Sequence, residues 1–330
     1  MKKSLFAATV SAVALIVTAG ASTAMDVDKT GWPASFTVGT ASQGGTFFVY
    51  GSGFAKLISE DLGVPGGGEV TGGPMQNMAL VHTGEAAFGM TTMGPANESL
   101  KGTNPIAPGL MMDKACAMFP MYKTPFGITA LSSTGITSID QIPEGAKIGF
   151  GPAGSTSDTY FPAMLEALGV KFERRNGGWD DLGSQLQDGL LDVVAFAVGI
   201  PTPAVSQLEA QTKINFVDFT DEEQAKIIAE FPVADFTISS GTYSTLDRDL
   251  KSVSMWNFGI ANCDLPESFV YEATKAVMGD HERMMGVHKA ASETLVENWD
   301  KNKVLKWHAG AAKWMNENGA SIPADMIYGG

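Results

Sequence analysis

Residues 146–158 read AKIGFGPAGSTSD, and this stretch decides the fold. Its first five residues alternate apolar and other side chains, as a short buried strand does, and a glycine-rich turn follows. After the turn, Phe161, Leu165 and Leu168 recur at helical spacing. The stretch therefore predicts a strand, a tight turn and a helix, the repeating unit of a parallel α/β sheet.

A similar unit begins at residues 36–46, FTVGTASQGGT, and apolar residues again recur at helical spacing over 50–58. Each unit continues through a second helix, which ends at Gly84 in one and Gly189 in the other, and into a second strand. Two such units predict an α/β protein with the two-lobed architecture of a type II-like periplasmic binding protein. The ligand cleft is expected between lobes joined by hinge strands.

The apolar runs Phe126–Leu131 and Met255–Ala261 are the candidate hinge, because the first would carry the chain out of the first lobe and the second would bring it back. The C-terminal third is predicted to be helical, as in Glu267–Met278 and Ala291–Trp299. The predicted segments are a signal peptide (1–24), lobe I (25–124 and 258–330) and lobe II (125–257).

The first residues have the features of a secretory signal peptide. Lys2 and Lys3 precede an apolar run from Leu5 to Val17, and small residues occupy positions 22 and 24. The run is shorter than the ~20 residues that span a bilayer. We expect cleavage after Ala24 and a periplasmic protein, with no lipid anchor because no cysteine directly follows the cleavage site.

Composition argues against several classes of function. The chain carries 36 acidic and 22 basic residues, a net charge of −14, which does not favour nucleic acid as a partner. No nucleophile elbow, phosphate loop with its lysine, or HExxH motif occurs. We therefore expect no catalytic residue, no metal and no cofactor. Cys116 and Cys263 form either a disulfide or two buried thiols, and both alternatives stay open.

One motif has three readings. Gly149, Gly151 and Gly154 follow a strand and open a helix, with Glu173 nineteen residues later, close to a dinucleotide fingerprint. The reading we favour is a helix N-terminus whose free backbone N–H groups hold a carboxylate or phosphate. A capped turn that binds nothing is the remaining alternative.

Ligands of open α/β sheets bind beyond the carboxyl ends of the strands. In two facing lobes this rule brings together the loops 41–46, 91–94, 152–158 and 199–203. The candidate ligand-binding residues are Ser42, Gly44, Gly45, Thr46, Phe47, Asn77, Thr91, Thr92, Ser155, Thr156, Ser157, Gly199 and Pro201.

No arginine lies in these four loops, and Arg174 and Arg175 are interpreted as solvated. The ligand's carboxylate is therefore predicted to rest on the helix N-terminus at Ser155–Ser157, with a second polar contact from Ser42–Thr46. Ser157 or Asp158 is expected to cap that helix if other hydroxyls are removed.

Six segments, in this order, resemble the TAXI family, the solute-binding receptors of tripartite ATP-independent periplasmic (TRAP) transporters. They cover most of the chain and read VGTASQGGTFF, TGGPMQNMALVHTGEAAFGM, GITSIDQIPEGAKIGFGPAGSTSD, DGLLDVVAFAVGIPTPA, ISSGTYS and WHAGAAKW. The resemblance implies lobes that close on a small carboxylate, glutamate-like or oxo-dicarboxylate, and deliver it to integral membrane TRAP subunits.

The chain departs from the family pattern in the proposed site. Phe47 and Phe48 stand where the family has a tyrosine, and Thr91-Thr92-Met93 stands where it often has Gln-Ser-Asp. The function predicted is thus a TRAP receptor for a small organic anion, a carboxylate or an amino acid. The alternatives are a receptor of an ATP-driven importer or a chemosensory system, and an exported enzyme on the same fold.

Overall fold

The computed structural model of the protein describes residues 27–330. The predicted signal peptide and its cleavage point after Ala24 lie outside the described residues. Over residues 27–330, no helix combines the length and the apolar character that a membrane span requires.

The strands fall into short ones, four or five residues long, and two long ones that carry the chain between the lobes. They are β1 Phe36–Gly39, β2 Gly66–Glu69, β3 Phe88–Thr92, β4 Ala115–Leu131, β5 Ala146–Gly149, β6 Phe172–Arg175, β7 Val193–Ala197, β8 Ile214–Val217, β9 Ala234–Ile238 and β10 Leu250–Asn262.

The helices mostly follow the strands of the two repeated units. They are α1 Thr46–Leu62, α2 Pro74–Thr83, α3 Met93–Leu100, α4 Thr156–Ala167, α5 Trp179–Gln187, α6 Pro203–Gln211, α7 Asp221–Glu230, α8 Glu267–Met278, α9 His281–Val287 and α10 Ala309–Glu317.

The sheet repeats one arrangement on either side of the long strands. The strand order is β2-β1-β3-β10-β4-β7-β5-β6, with β8 paired to β4 and β9 to β10. In each half a central strand pairs in parallel with two neighbours, β1 with β2 and β3, and β5 with β6 and β7. β3 and β7 then pair antiparallel with β10 and β4. The predicted α/β class is confirmed.

The hydrophobic core divides at the two long strands. One cluster of buried residues draws on 36–122 and 258–322, whereas two others draw on 126–255. We use the predicted boundaries to name the halves, so lobe I is 25–124 with 258–330 and lobe II is 125–257. Because β4 and β10 run through both halves, the predicted hinge segments are parts of longer strands than the sequence indicated.

One helix prediction is wrong. The segment Ala291–Trp299 forms two 3₁₀ turns, Lys289–Glu293 and Val296–Lys301, in place of an α-helix. The break falls at Thr294, whose hydroxyl donates to the carbonyl of Met121 at 3.1 Å and lies 2.7 Å from the hydroxyl of Tyr50. These contacts with the core of lobe I fix Thr294 between the turns and interrupt the helical pattern.

Cys116 and Cys263 form a disulfide, with their Cα atoms 5.2 Å apart. Cys116 lies near the start of β4 and Cys263 directly follows β10. These strands are paired antiparallel, with Ala261 opposite Cys116. Of the two alternatives that the sequence left open, the structure shows the disulfide.

Candidate binding site

A cavity lies between the two lobes, with about 370 Å³ of space free of protein atoms, part of it continuous with open solvent. Five of the predicted site residues line it: Gly45, Phe47, Thr92, Ser155 and Thr156. The lining also includes residues that the sequence did not single out, chiefly a second aromatic side chain, a threonine of β4 and the turn before α2. These are Trp179, Thr124, Gly72, Gly73 and Pro74.

The cavity is surrounded by the N-termini of helices from both lobes. Gly45, Gly73 and Thr92 are the N-cap residues of α1, α2 and α3, and none of these helices has a side-chain cap. From lobe II, Ser155 is the N-cap of α4 and Trp179 is the first residue of α5. The first N–H groups of a helix lack intrahelical partners, and the helix dipole is positive there. The arrangement therefore favours a negative charge in the cavity.

The glycines of these turns allow the two lobes to lie in contact, because they have no Cβ atom. Gly44 and Gly45 are both candidate ligand-binding residues. A Cβ atom at Gly44 would lie 2.8 Å from the carboxyl carbon of Asp180, and one at Gly45 would lie 2.8 Å from the ring of Trp179. Gly73 has a φ of 108°, which favours glycine. Two turns of lobe I can thus lie directly against lobe II.

Among the described residues, none of those lining the cavity has an ionisable side chain. The polar side chains are hydroxyl groups and the indole N–H of Trp179. Phe47, Pro74 and Val198 supply apolar surface. An anion bound here would meet oriented dipoles and hydrogen-bond donors, with no arginine or lysine in contact.

The start of α4 is held by a hydrogen-bond network of its own. The Ser155 hydroxyl accepts from the N–H of Asp158 at 3.1 Å and donates to the carbonyl of Phe150 at 3.3 Å. Asp158 accepts from the N–H of Gly154 at 3.0 Å and forms an ion pair with Arg174. Arg174 is exposed, as the interpretation of a solvated arginine expects, and its guanidinium also neutralises the carboxylate behind the helix N-terminus.

The prediction that Ser157 or Asp158 can cap α4 needs correction. Ser155 is the residue that caps the helix. Ser157 is fully buried and donates to the carbonyl of Ala195. Asp158 is occupied with Gly154 and Arg174. Neither Ser157 nor Asp158 is therefore available to replace a lost Ser155 hydroxyl.

Thr156 and Thr92 belong to a hydrogen-bonded chain across the cleft. Their hydroxyl oxygens lie 2.8 Å apart, and Thr92 donates to Oδ1 of Asn257 at 2.8 Å. The Asn257 amide group donates to the carbonyl of Tyr122 at 2.9 Å and to the hydroxyl of Thr124 at 2.7 Å. The chain joins lobe I, lobe II and both long strands beside the cavity.

Other predicted residues hold the lobes together around the cavity. Thr46 donates to the carbonyl of Gly199, and the N–H of Ala204 donates to the carbonyl of Gly44 at 3.0 Å. His288 contacts the carbonyl of Pro201 through Nε2 at 3.1 Å.

The Nδ1 atom of His288 accepts from the N–H of Ala290, so Nε2 carries the proton and donates. Burial lowers the pKa of His288.

On another side of the cleft, Tyr160 donates to Glu98 at 2.6 Å, and burial raises the pKa of that tyrosine. The structure is thus a closed arrangement of the lobes.

Several candidate residues have their polar groups committed within the protein. Asn77 is fully buried, donates to the carbonyls of Thr40 and Met90, and accepts from Thr71. Thr91 is also fully buried, and its hydroxyl contacts the carbonyl of Thr92. These side chains support the loops that shape the cavity. The hydroxyl of Ser42 is buried without a partner among the described residues, but Ser42 does not line the cavity.

Two site residues missed by the sequence analysis are Thr124 and Asn257. Both lie inside long apolar strands, where a polar residue carries no motif. Asn257 sits at an irregularity in the pairing of β10 with β4, between the pairs Trp256–Lys123 and Phe258–Pro120. The bulge leaves the carbonyl of Tyr122 to be satisfied by a side chain. A lone amide within an apolar strand was the available signal.

The fold and the interlobe cavity place the chain in a structural class. MatC from Rhodopseudomonas palustris, solved with bound malate, is similar with a TM-score of 0.56 at 14% identity, over 86% of this chain and 95% of that one. The periplasmic binding protein BugD is similar with a TM-score of 0.55 at 14% identity, over 86% and 94%. The predicted two-lobed periplasmic binding protein fold is confirmed.

A family model described as the NMT1-like family matches residues 38–319. The chain belongs to that family. The match begins in β1 and ends just beyond α10, so it includes both lobes and every residue that lines the cavity.

Proposed function

We propose that the protein is an extracytoplasmic solute-binding receptor that encloses a small organic anion between its lobes. The observation that carries this proposal is the interlobe cavity ringed by helix N-termini. Such termini stabilise an anion through unpaired N–H groups and the helix dipole, and a closed cleft excludes water that would weaken both effects. The receptor performs no chemistry on its ligand.

The predicted route of delivery is a TRAP transporter, whose integral membrane subunits take up the solute with an ion gradient. Support comes from the six sequence segments that resemble the TAXI receptors. A periplasmic location is consistent with the leader sequence and with the disulfide, which is stable in an oxidising compartment. Co-purification with TRAP subunits, as against an importer ATPase complex, tests this part of the proposal.

A thermal-shift screen of small organic acids and amino acids, followed by calorimetry, tests the receptor function. A ligand that binds only the native state raises apparent stability, by ~2.7 kcal/mol at a concentration one hundred times its Kd. We expect one-to-one binding without turnover and a smaller radius of gyration in solution scattering when the lobes close. A protein that binds none of the acids, or that converts one of them, contradicts the proposal.

A further inference from the structure

We infer that the ligand of the cavity carries a single carboxylate and no second charge, on a compact apolar body, and that Thr124 donates a hydrogen bond to that carboxylate. The inference rests on the proposed function and names the chemical class of its ligand. It is narrower than the glutamate-like or dicarboxylate ligands that the resemblance implies.

The direction of each hydrogen bond beside the cavity is fixed by a carbonyl group that can only accept. The carbonyl oxygen of Tyr122 only accepts, so the group of Asn257 that faces it must be the NH₂. The amide oxygen of Asn257 then faces Thr92, and Thr92 must donate to it. Because the only proton of the Thr92 hydroxyl is used there, its oxygen receives the proton of Thr156. The backbone of one strand thus fixes the orientation of the whole chain of hydroxyls.

One hydroxyl proton beside the cavity, that of Thr124, has no acceptor in this chain of hydrogen bonds. Asn257 donates its other amide proton to the hydroxyl oxygen of Thr124 at 2.7 Å. The Thr124 hydroxyl can therefore donate its own proton elsewhere, and no residue within 27–330 accepts it. Thr124 is 2% exposed and lines the cavity. A buried donor without an acceptor is costly, and a group that only accepts, such as a carboxylate, would satisfy it.

A second donor lies on the opposite lobe. The indole N–H of Trp179 can only donate, and it has no acceptor among the described residues. The hydroxyls of Ser155 and Thr156, by contrast, already have acceptors in the protein. The polar side chains that remain free toward the cavity are therefore donors, and they call for an acceptor.

Among residues 27–330, the cavity has no charged side chain that could balance a second charge on the ligand. A ligand ammonium group needs a nearby carboxylate, and a second ligand carboxylate needs a further cation or donor set. No lining residue within the described chain is ionisable. Asp158, just beyond the lining, is already paired with Arg174. An ammonium group would lose its hydration without a negative partner, and a second carboxylate would have only helix N–H groups, with no cation, to replace its hydration. Phe47, Pro74 and Val198 instead offer a surface for an uncharged apolar body.

A matched set of probes tests the charge. We would measure binding of 4-methylpentanoate, its neutral amide, L-leucine and 3-methylglutarate by calorimetry, alongside a wider set of mono- and dicarboxylates and amino acids. We expect the tightest ligand to be a monocarboxylate, with the amide, the amino acid and the dicarboxylate at least tenfold weaker. If the tightest ligand is a dicarboxylate or an amino acid, the inference fails and the receptor function stands. If no member binds, the receptor function itself fails.

Substitution of Thr124 tests its role with the tightest monocarboxylate. Thr124→Val removes the hydroxyl and keeps the shape, and we expect a loss of affinity of about ten- to one hundredfold, as for a hydrogen bond to a charged group. Thr124→Ser keeps the donor and should bind within about threefold of the unmodified protein.

The matched control is Thr274→Val. Thr274 is a fully buried threonine of α8, and its hydroxyl donates to the carbonyl of Val270. The Thr274→Val variant should bind the monocarboxylate with the affinity of the unmodified protein. Equal affinity of Thr124→Val and the unmodified protein, with Thr124→Val folded by circular dichroism, overturns the assignment.

Discussion

The hydroxyl oxygens of Thr92 and Thr156 lie 2.8 Å apart, although one belongs to lobe I and the other to lobe II. Thr92 is the last residue of β3 and Thr156 is the first residue of α4. Both are buried and both line the cavity. This bond exists only while the lobes are closed, so it couples closure of the cleft to the arrangement of groups around the ligand.

Removal of that bond should favour the open protein. We expect Thr92→Val to lower ligand affinity by about two- to tenfold, because a net hydrogen bond contributes ~0.5–1.5 kcal/mol and apparent affinity scales with the closed fraction. The neighbouring substitution Thr91→Val is the matched control, since the Thr91 hydroxyl contacts only lobe I. Calorimetry on the two variants is the measurement. An equal effect of both substitutions would show that the bond across the lobes has no special role.

The contact between Tyr160 and Glu98 should contribute more, because a hydrogen bond to a charged group is worth ~1.5–3 kcal/mol. We expect Tyr160→Phe to weaken ligand binding by about tenfold and to increase the radius of gyration of the ligand-free protein. Tyr271→Phe supplies the control. Its hydroxyl donates to Glu317 at the same 2.6 Å, but within lobe I. Loss of affinity in the control, or its retention in Tyr160→Phe, would contradict a latch between the lobes.

Loss of the α4 cap should affect both stability and binding. We expect Ser155→Ala to lower the free energy of unfolding by ~1 kcal/mol, as for other N-cap hydroxyls. Affinity should also fall, because Ser155 fixes the helix start at the cavity. Thr220→Ala removes the cap of α7, which does not line the cavity, and should reduce stability alone. Urea unfolding and calorimetry on the two variants separate the effects, and unchanged affinity in Ser155→Ala would move the anion away from α4.

Acid should destabilise the protein through His308. This side chain is 2% exposed, and its Nδ1 accepts from the N–H of Gly310. Burial lowers its pKa to about 4, from an ordinary value of 6.5. The unfolded chain therefore takes up a proton near pH 6.5 and the folded chain only near pH 4.

Stability is fully present above pH 6.5 and is lost between these values, by ~3 kcal/mol in all. Urea unfolding at pH 7.5 and pH 4.5 should show a smaller difference for His308→Gln than for the unmodified protein. Parallel pH dependence of the two proteins would contradict this assignment.

The elements were predictable where their patterns are local. The helical spacing after residue 46 and the alternation in AKIGF depend on neighbours in the chain, and the structure places α1 and β5 there. The end of α8 at Met278 also follows from sequence. Thr294 shows the limit, because its bonds to Met121 and Tyr50 come from segments over a hundred residues away.

The same limit applies to the site. Strand ends and glycine-rich turns indicated Gly45, Thr92 and Ser155, because ligands of α/β sheets bind at such ends. Thr124 lines the cavity and Asn257 bonds it from the neighbouring strand, through the pairing of two strands whose register includes an irregularity. The sequence near each residue does not determine how β4 pairs with β10, so the roles of Thr124 and Asn257 follow only from the three-dimensional structure.

The disulfide between Cys116 and Cys263 has a consequence for the outcome of proteolysis. The chain between the two cysteines includes all of lobe II, and lobe I is completed by residues on both sides of it. A single cut in the exposed segment 239–241 therefore leaves two fragments that remain covalently joined through lobe I. Such a nicked molecule would migrate as one species on a denaturing gel until a reductant separates it, and it would keep its ligand-enclosing halves tethered meanwhile.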